Sequence, residues 1–342
     1  MKVLFFYNED WEKDYFGENI GSSKPAVGQE DFEVEFIKGR VQDFPELKNE
    51  EAGVLSVFVG SHVDGAVFDR FPNVKYIAAR STGFDNIDIE EAKKRGIIVS
   101  NVPAYGSVTV AEFTFALLLS VSRKIFPAYD QILERGSFKK DGLRGFDLNG
   151  KTLGVVGVGK IGLNAIKIAN GFGMKVIAFD KNPDEELSKS NNFEYVELDE
   201  LLKQADVISL HVPYNPHTHH LLDKESFEKM KKGVVIINTS RGGIIETQAL
   251  VEALKNGVVA GAGLDVLEAE IYMGKGIEAL QEEKVSDDNL ETVLHNKYLI
   301  EHPSVVITPH NAFNTQEAIE RIFDVTVDNI KNFAGGKIEN EV

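Results

Sequence analysis

The six residues GVGKIG at 157–162 do most to decide what this chain can fold into. They lie between the apolar run 152–156 and a helix-patterned stretch at 160–172, so Gly157, Gly159 and Gly162 stand at the GxGxxG spacing in a strand-to-helix turn. In such a turn the first glycine permits the sharp reversal, the second lets a pyrophosphate approach bare backbone, and the third lets the helix pack against the strand. The helix N-terminus then offers unpaired amides to phosphate. A second strand, 174–179, follows and ends on Asp180, 23 residues beyond Gly157. A carboxylate at that place suits ribose hydroxyls and would repel a 2′-phosphate, so the pattern predicts a dinucleotide site that prefers NAD to NADP.

The rest of the chain alternates in the same manner. Strand-like stretches at 2–7, 33–37, 54–59, 75–79 and 97–101 are separated by helix patterns such as 89–95. A second series begins at 152 and continues through 176–179, 207–211, 234–238, 261–265 and 305–308. At 342 residues the chain is long for one core. The expected fold is therefore α/β, with two Rossmann-like or flavodoxin-like parallel-sheet domains and a cleft between them. The two series join near Asn101-Val102-Pro103, where proline blocks continuation of a regular element. A helix at 108–123 is apolar almost all round and must be buried, either within the chain or against a second copy. The last helix, 316–333, carries Ile319, Ile322, Phe323, Val327, Ile330 and Phe333 on one stripe and needs an apolar platform. The polar, charged segment 274–296 reads as an irregular insertion.

Composition excludes several classes of function. Hydrophobic residues make up 43% and charged residues 27%, as in soluble globular proteins. The chain opens without a signal-peptide pattern, and its most apolar stretch, 113–121, is far shorter than the roughly 20 residues that span a bilayer, so a cytoplasmic protein with no membrane partner is expected. With no cysteine there are no disulfides, thiolate metal sites or thiol nucleophiles. A formal net charge of -17 argues against a nucleic-acid partner. It also means that any site for anionic ligands must carry its own positive potential, which draws attention to an arginine beside a strand end.

In open parallel sheets ligands bind beyond the carboxyl ends of the strands. Four polar groups stand there in the second series: His211-Val212-Pro213, Asn238-Thr239-Ser240-Arg241-Gly242, Asp265 with Glu270 shortly after, and Pro309-His310. Arg241, between an apolar strand and a glycine pair, is placed to bind an anion. His310 directly follows an apolar strand, whereas its rival His302 precedes that strand and belongs to the opposite end of the sheet. The remaining histidines, including His217, His219 and His220, sit in polar contexts where solvent exposure is the default, and no metal is expected.

Taken together, RSTGFDNID (80–88), NVPAYG (101–106), GVVGVGKIG (154–162), HVPYNPHT (211–218), NTSRGG (238–243), GLDVLEAE (263–270) and TPHNAF (308–313) make the chain resemble the D-isomer-specific 2-hydroxyacid dehydrogenases along nearly its whole length, closest to the D-lactate dehydrogenase branch. The resemblance implies that Arg241, Glu270 and His310 are the catalytic trio. It implies substrate contacts at Thr82, Gly83, Tyr105 and Phe313. It further implies NAD contacts at Gly157, Gly159, Lys160, Ile161, Gly162, Asp180, His211, Val212, Pro213, Thr218, Thr239, Ser240 and Asp265, the last on the nicotinamide side. A split architecture follows, with 1–102 plus 314–342 as substrate domain and 103–313 as NAD domain, together with a homodimer built on the latter. Thr82 departs from the valine common in this branch, which matters little if backbone amides bind the carboxylate.

The chemistry of these side chains agrees with that implication. A guanidinium can hold a 2-keto acid's carboxylate bidentately. A protonated His310 would give its proton to the carbonyl oxygen as hydride arrives, and Glu270 would stabilise the imidazolium. The expected activity is interconversion of a small 2-keto acid and its D-2-hydroxy acid, pyruvate and D-lactate first, with D-2-hydroxyisocaproate-type or other 2-keto acids as the alternative. Formate dehydrogenase, similar in architecture, pairs its histidine with glutamine, and Glu270 weighs against it. An NAD(H)-sensing corepressor-like binding protein is the non-enzyme alternative.

Overall fold

The computed structural model describes residues 1–21, 32–274 and 285–342, and these form two units, 1–105 with 315–342 and 106–314. In the first unit β1 (Lys2–Tyr7), β2 (Glu33–Lys38), β3 (Ala52–Val57), β4 (Tyr76–Ala79) and β5 (Ile98–Ser100) build one sheet in the order β2-β1-β3-β4-β5. Every pairing is parallel. Parallel strands covered on both faces read as unbroken apolar runs rather than alternating ones, and Val3, Leu4, Phe5 and Phe6 of β1 are accordingly all buried. β3 begins on Ala52 and stops at Val57, two residues earlier at each end than the apolar run 54–59, because its register is set by pairing with both β1 and β4.

The C-terminal helix Gln316–Ala334 belongs to this first unit. Ile319, Ile322, Phe323, Val327 and Ile330 are buried, and Phe333 stacks on Tyr76 of β4 at 4.3 Å between ring centroids. The platform that its apolar stripe requires is β4 together with helix Asp10–Gly21.

In the second unit β6 (Thr152–Val156), β7 (Lys175–Phe179), β8 (Glu194–Tyr195), β9 (Val207–Leu210), β10 (Val234–Asn238), β11 (Val259–Leu264) and β12 (Val305–Ile307) form a sheet in the order β12-β11-β10-β9-β6-β7-β8. All its pairings are parallel too. The strand order reverses direction at β6, and the crevice beyond the carboxyl ends of β6 and β9 is the place such a sheet offers a ligand. β8 has only two residues and no apolar run, which is why no sequence pattern announces it.

Helix Ser107–Ser122 packs on β11 and on helix Lys160–Gly171, burying Ala111, Phe115, Leu117 and Leu118. Its approach is close: a Cβ on Gly263 of β11 would lie 2.9 Å from Leu117 Cβ. Burial is one-sided, however, since Val108 remains 52% exposed. The segment 274–296 corrects the sequence reading. Residues 275–284 lie outside the described residues, but the later part is regular helix, Asp287–Glu301, and not an irregular insertion. Ser286 accepts the Asn289 amide as N-cap, and Asp287 and Asp288 occupy the first turn, so the polar character belongs to a helix start.

Candidate active site

The carboxyl ends of β10, β11 and β12 bring three polar loops together. Beyond β10, the Asn238 side chain closes a turn, accepting from the Ser240 amide at 3.0 Å and donating to the Arg241 carbonyl at 2.9 Å. This fixes Arg241 in extended backbone just before the Gly242–Ile244 turn. Gly242 lies so near the next loop that a Cβ there would fall 2.0 Å from the Leu267 carbonyl carbon. The turn bearing Arg241 and the loop bearing Glu270 are thus in backbone contact.

His310 and Glu270 meet across that space, with His310 Nδ1 3.0 Å from Glu270 Oε1. Because a carboxylate only accepts, Nδ1 carries the hydrogen and Nε2 is left for another partner. The second Glu270 oxygen accepts the Leu267 amide at 3.2 Å. Burial pushes the Glu270 carboxyl up, but the hydrogen bond and charge of His310, the Leu267 amide and the Arg241 cation outweigh it and hold the group below its ordinary range. It is a carboxylate at neutral pH. Both side chains remain partly exposed, at 29% and 40%.

Asp265, at the end of β11, is almost fully buried and hangs the His310 loop. Its Oδ1 accepts the Thr308 hydroxyl at 2.5 Å and the Asn311 amide at 2.8 Å, and its Oδ2 accepts the Ala312 amide at 2.8 Å. The His310 amide donates to the Asp265 carbonyl at 2.7 Å. These bonds hold His310 at φ 51°, a left-handed conformation that costs a non-glycine residue about 1–3 kcal/mol. Burial pushes the Asp265 carboxyl up in pKa, and the three hydrogen bonds and His310 only partly oppose it. Sequence reasoning sees an acid after a strand and cannot see that its oxygens hold a loop 43 residues on. His302, by contrast, precedes β12, at the end of the sheet away from Arg241 and Glu270.

The glycine turn fits a dinucleotide. Gly157 sits at φ +96°, and a Cβ on it would lie 2.8 Å from the His211 carbonyl oxygen. A Cβ on Gly162 would be 2.0 Å from the Gly157 carbonyl oxygen, whereas at Gly159 there is nothing within 4 Å. Two glycines therefore let chain pack on chain, and the middle one faces open space at the start of helix Lys160–Gly171. That helix has no side-chain N-cap, so its first amides are free for phosphate. Asp180, after β7, is oriented by the Val158 amide at 2.7 Å and the Asn182 amide at 2.9 Å, one on each oxygen. A carboxylate with about four lone-pair sites still has capacity for ribose hydroxyls.

Other positions singled out in the sequence have internal partners. The Ser240 hydroxyl donates to Leu210 O at 2.8 Å, the Thr218 hydroxyl to Pro213 O at 2.6 Å, and the Thr239 hydroxyl lies 3.0 Å from that of Thr114. His211 turns its ring inward, with Nε2 2.9 Å from Ser209 Oγ, and burial pulls its pKa down to about 4. It is neutral at pH 7. In the first unit Thr82 and Gly83 follow β4, the Thr82 hydroxyl donating to Val102 O at 2.9 Å. Tyr105 O accepts from Arg321 Nε at 2.8 Å. Lys160 and Ile161 open the helix after the glycine turn, Val212 and Pro213 continue past β9, and Phe313 follows the His310 loop. No group of three or more described His, Cys, Asp or Glu residues could hold a metal ion, and no helix among the described residues is long and apolar enough to cross a membrane.

One pair escaped the sequence reading. His220 is not solvent-exposed by default: its Nε2 lies 2.7 Å from Glu268 Oε1.

Comparison with known proteins places this geometry. The family model for the D-isomer specific 2-hydroxyacid dehydrogenase, NAD binding domain, matches residues 115–312. The D-lactate dehydrogenase of Escherichia coli K12 is 35% identical over 339 residues, covering 98% of each chain. An aromatic 2-oxoacid reductase of Clostridium sporogenes is 44% identical over 261 residues, 76% of each chain. The crystal structure of D-lactate dehydrogenase from Aquifex aeolicus, complexed with NAD and lactic acid, superposes with a TM-score of 0.85 at 35% identity, covering 99% of this chain and 98% of that one.

Proposed function

The chain belongs to the D-isomer-specific 2-hydroxyacid dehydrogenases, and from that premise we propose that it is an NAD-dependent enzyme interconverting pyruvate and D-lactate through Arg241, Glu270 and His310. The observation that carries the residue assignment is the 3.0 Å contact of His310 Nδ1 with Glu270 Oε1, beside the turn that presents Arg241. Arg241 binds the keto acid's carboxylate with its planar fork and so orients the carbonyl. With Nδ1–H held by Glu270, His310 gives the Nε2 proton to the carbonyl oxygen, and in the reverse direction takes it back. NADH, when bound, supplies the hydride that adds to the keto carbon, so hydride plus proton yields the hydroxy acid. Glu270 balances the charge that His310 carries before transfer.

Residues 103–313 are assigned to the cofactor and 1–102 with 314–342 to the substrate. The RSTGFDNID, NVPAYG and TPHNAF motifs support Thr82, Gly83, Tyr105 and Phe313 as substrate contacts. NADH oxidation with pyruvate, hydroxypyruvate, oxaloacetate, branched 2-keto acids and phenylpyruvate, followed by analysis of product chirality, tests the substrate assignment. Preference for phenylpyruvate would move the reading towards aromatic 2-keto acids, the class named for the relative that is 44% identical. Asp180 supports NAD over NADP, and Asp180→Ser is expected to shift the NADPH/NADH ratio of kcat/KM upward by about tenfold or more, about 1.4 kcal/mol. An unchanged ratio would remove Asp180 from ribose recognition.

The protein is further assigned as a cytoplasmic homodimer joined through residues of the cofactor unit. Helix Ile125–Arg135 has no buried residue and carries Ile125, Phe126, Tyr129, Ile132 and Leu133 on one stripe, each at least 47% exposed, with Phe138 beyond them at 84%. Such a contiguous apolar face is the composition of a subunit interface. Phe126→Asp combined with Leu133→Asp is expected to halve the mass found by sedimentation equilibrium. A monomeric unmodified protein would sink the dimer.

A further inference from the structure

Resting on the assigned roles of Arg241 and Glu270, we propose that His220, with Glu268, is a positioning residue that sets the spacing between those two side chains. The His220 backbone amide donates to the Gly243 carbonyl at 2.8 Å, two residues beyond Arg241. Its ring Nε2 lies 2.7 Å from Glu268 Oε1, two residues before Glu270. One residue of the loop after β9 is thereby tied to both of the loops that carry the anion clamp and the carboxylate. Glu268 Oε2 accepts in turn from the Thr247 hydroxyl at 2.8 Å and the Thr247 amide at 3.3 Å, at the start of helix Thr247–Lys255. The Glu268 carbonyl accepts from Asn296 Nδ2 at 2.7 Å. The carboxylate is thus anchored from two directions and its own backbone from a third.

The conformation of His220 shows that the frame imposes this arrangement. It stands at φ 50°, and Ala269, immediately before Glu270, at φ 55°. Non-glycine residues in the left-handed region persist where surrounding contacts over-determine them. His219 stacks on His220 at 3.8 Å between centroids and is itself bonded to Tyr214 Oη at 3.1 Å. The Tyr214 ring covers Gly243 so closely that a Cβ there would lie 2.7 Å from it. His220 is accordingly held on one face by the His219 ring, and Glu268 receives its ring nitrogen. Neither residue touches the atoms that react. Their effect is on the distance from the guanidinium of Arg241 to the carboxylate that holds His310, where a displacement of about 1 Å can cost about 100-fold.

The test is a cycle of His220→Ala, Glu268→Ala and the double variant, with Glu268→Gln as the conservative change and Arg241→Gln measured in parallel. The expected result is a loss of about 10- to 100-fold in kcat/KM for the keto acid in each single alanine variant, divided between KM and kcat. The NADH dissociation constant is expected to stay unchanged. The double variant should lose no more than the worse single one, since both break the same tie. Glu268→Gln, which can still accept from His220, should recover most of the activity. Additive losses, weakened NADH binding, or a Gln variant as poor as Ala would overturn the positioning role. So would single variants as active as the unmodified protein. If Arg241→Gln were also fully active, the assignment of Arg241 would fall, and the positioning role with it. If only the latter failed, Arg241→Gln would remain inactive.

Discussion

Replacing His310 by glutamine is expected to lower kcat by about 10²- to 10⁴-fold, the range that a positioned general acid contributes, while the NADH dissociation constant stays as it was. Glutamine keeps a hydrogen-bonding group in the same volume but has no proton to give at neutral pH. The prediction rests on two features of the site. His310 is fixed by backbone bonds to Asp265 and Thr308 that the substitution leaves in place. The glycine turn and Asp180 belong to other strand ends and are untouched by it. Arg241→Gln should give a comparable loss with a different signature, a raised KM for the keto acid beside a lowered kcat, because the clamp acts both in binding and in orienting. Steady-state kinetics together with titration of NADH fluorescence separate these cases. Loss of NADH binding in either variant would contradict the roles assigned.

The second large effect concerns stability. Arg80, from the RSTGFDNID motif, is 1% exposed in the first unit and reaches Glu12 Oε2 at 3.4 Å and the Phe6 carbonyl. Phe5, Phe58 and Phe323 surround its guanidinium at 4.1, 5.5 and 5.7 Å. Burial pulls its pKa down to about 10, with the Glu12 charge opposing, so it is still a cation at neutral pH. Removing one partner of a buried pair leaves the other charge uncompensated, and Glu12→Ala is expected to cost about 3–5 kcal/mol. Glu12 also accepts the Asn8 and Glu9 amides at 3.3 and 3.1 Å, which adds to the loss. The single tryptophan, Trp11, immediately precedes Glu12 and packs edge-on against Phe323 at 5.6 Å, so its fluorescence reports on this unit during urea unfolding. Replacing both members by methionine is expected to recover most of the stability. A shift below about 1 kcal/mol for Glu12→Ala would show that water reaches the pair.

The sequence made plain those features whose cause is local. A glycine that must admit a carbonyl 2.0 Å from where its Cβ would be can be replaced by nothing else, so Gly162 stands out in any reading. Apolar runs for strands covered on both faces stand out as well, and they place Arg241 and His310 close after strand ends, while Glu270, six residues beyond β11, is singled out only by the GLDVLEAE motif. What stayed hidden depends on tertiary contact. That Asp265 follows a strand is legible, but its three partners in the His310 loop are not. His220 reads as an exposed histidine because Glu268 is 48 residues away. The helix at Asp287–Glu301 was obscured by its own polar start, and β8 is too short to carry a period.

Asp265, Glu270 and His310 form a small closed circuit: one carboxylate carries the histidine's loop, a second carboxylate five residues along holds its ring, and both come from the stretch that leaves β11. The His310 ring and the Glu270 carboxylate are therefore both anchored to the end of one strand. On the roles proposed for them, the histidine would enter each turnover already paired with its carboxylate.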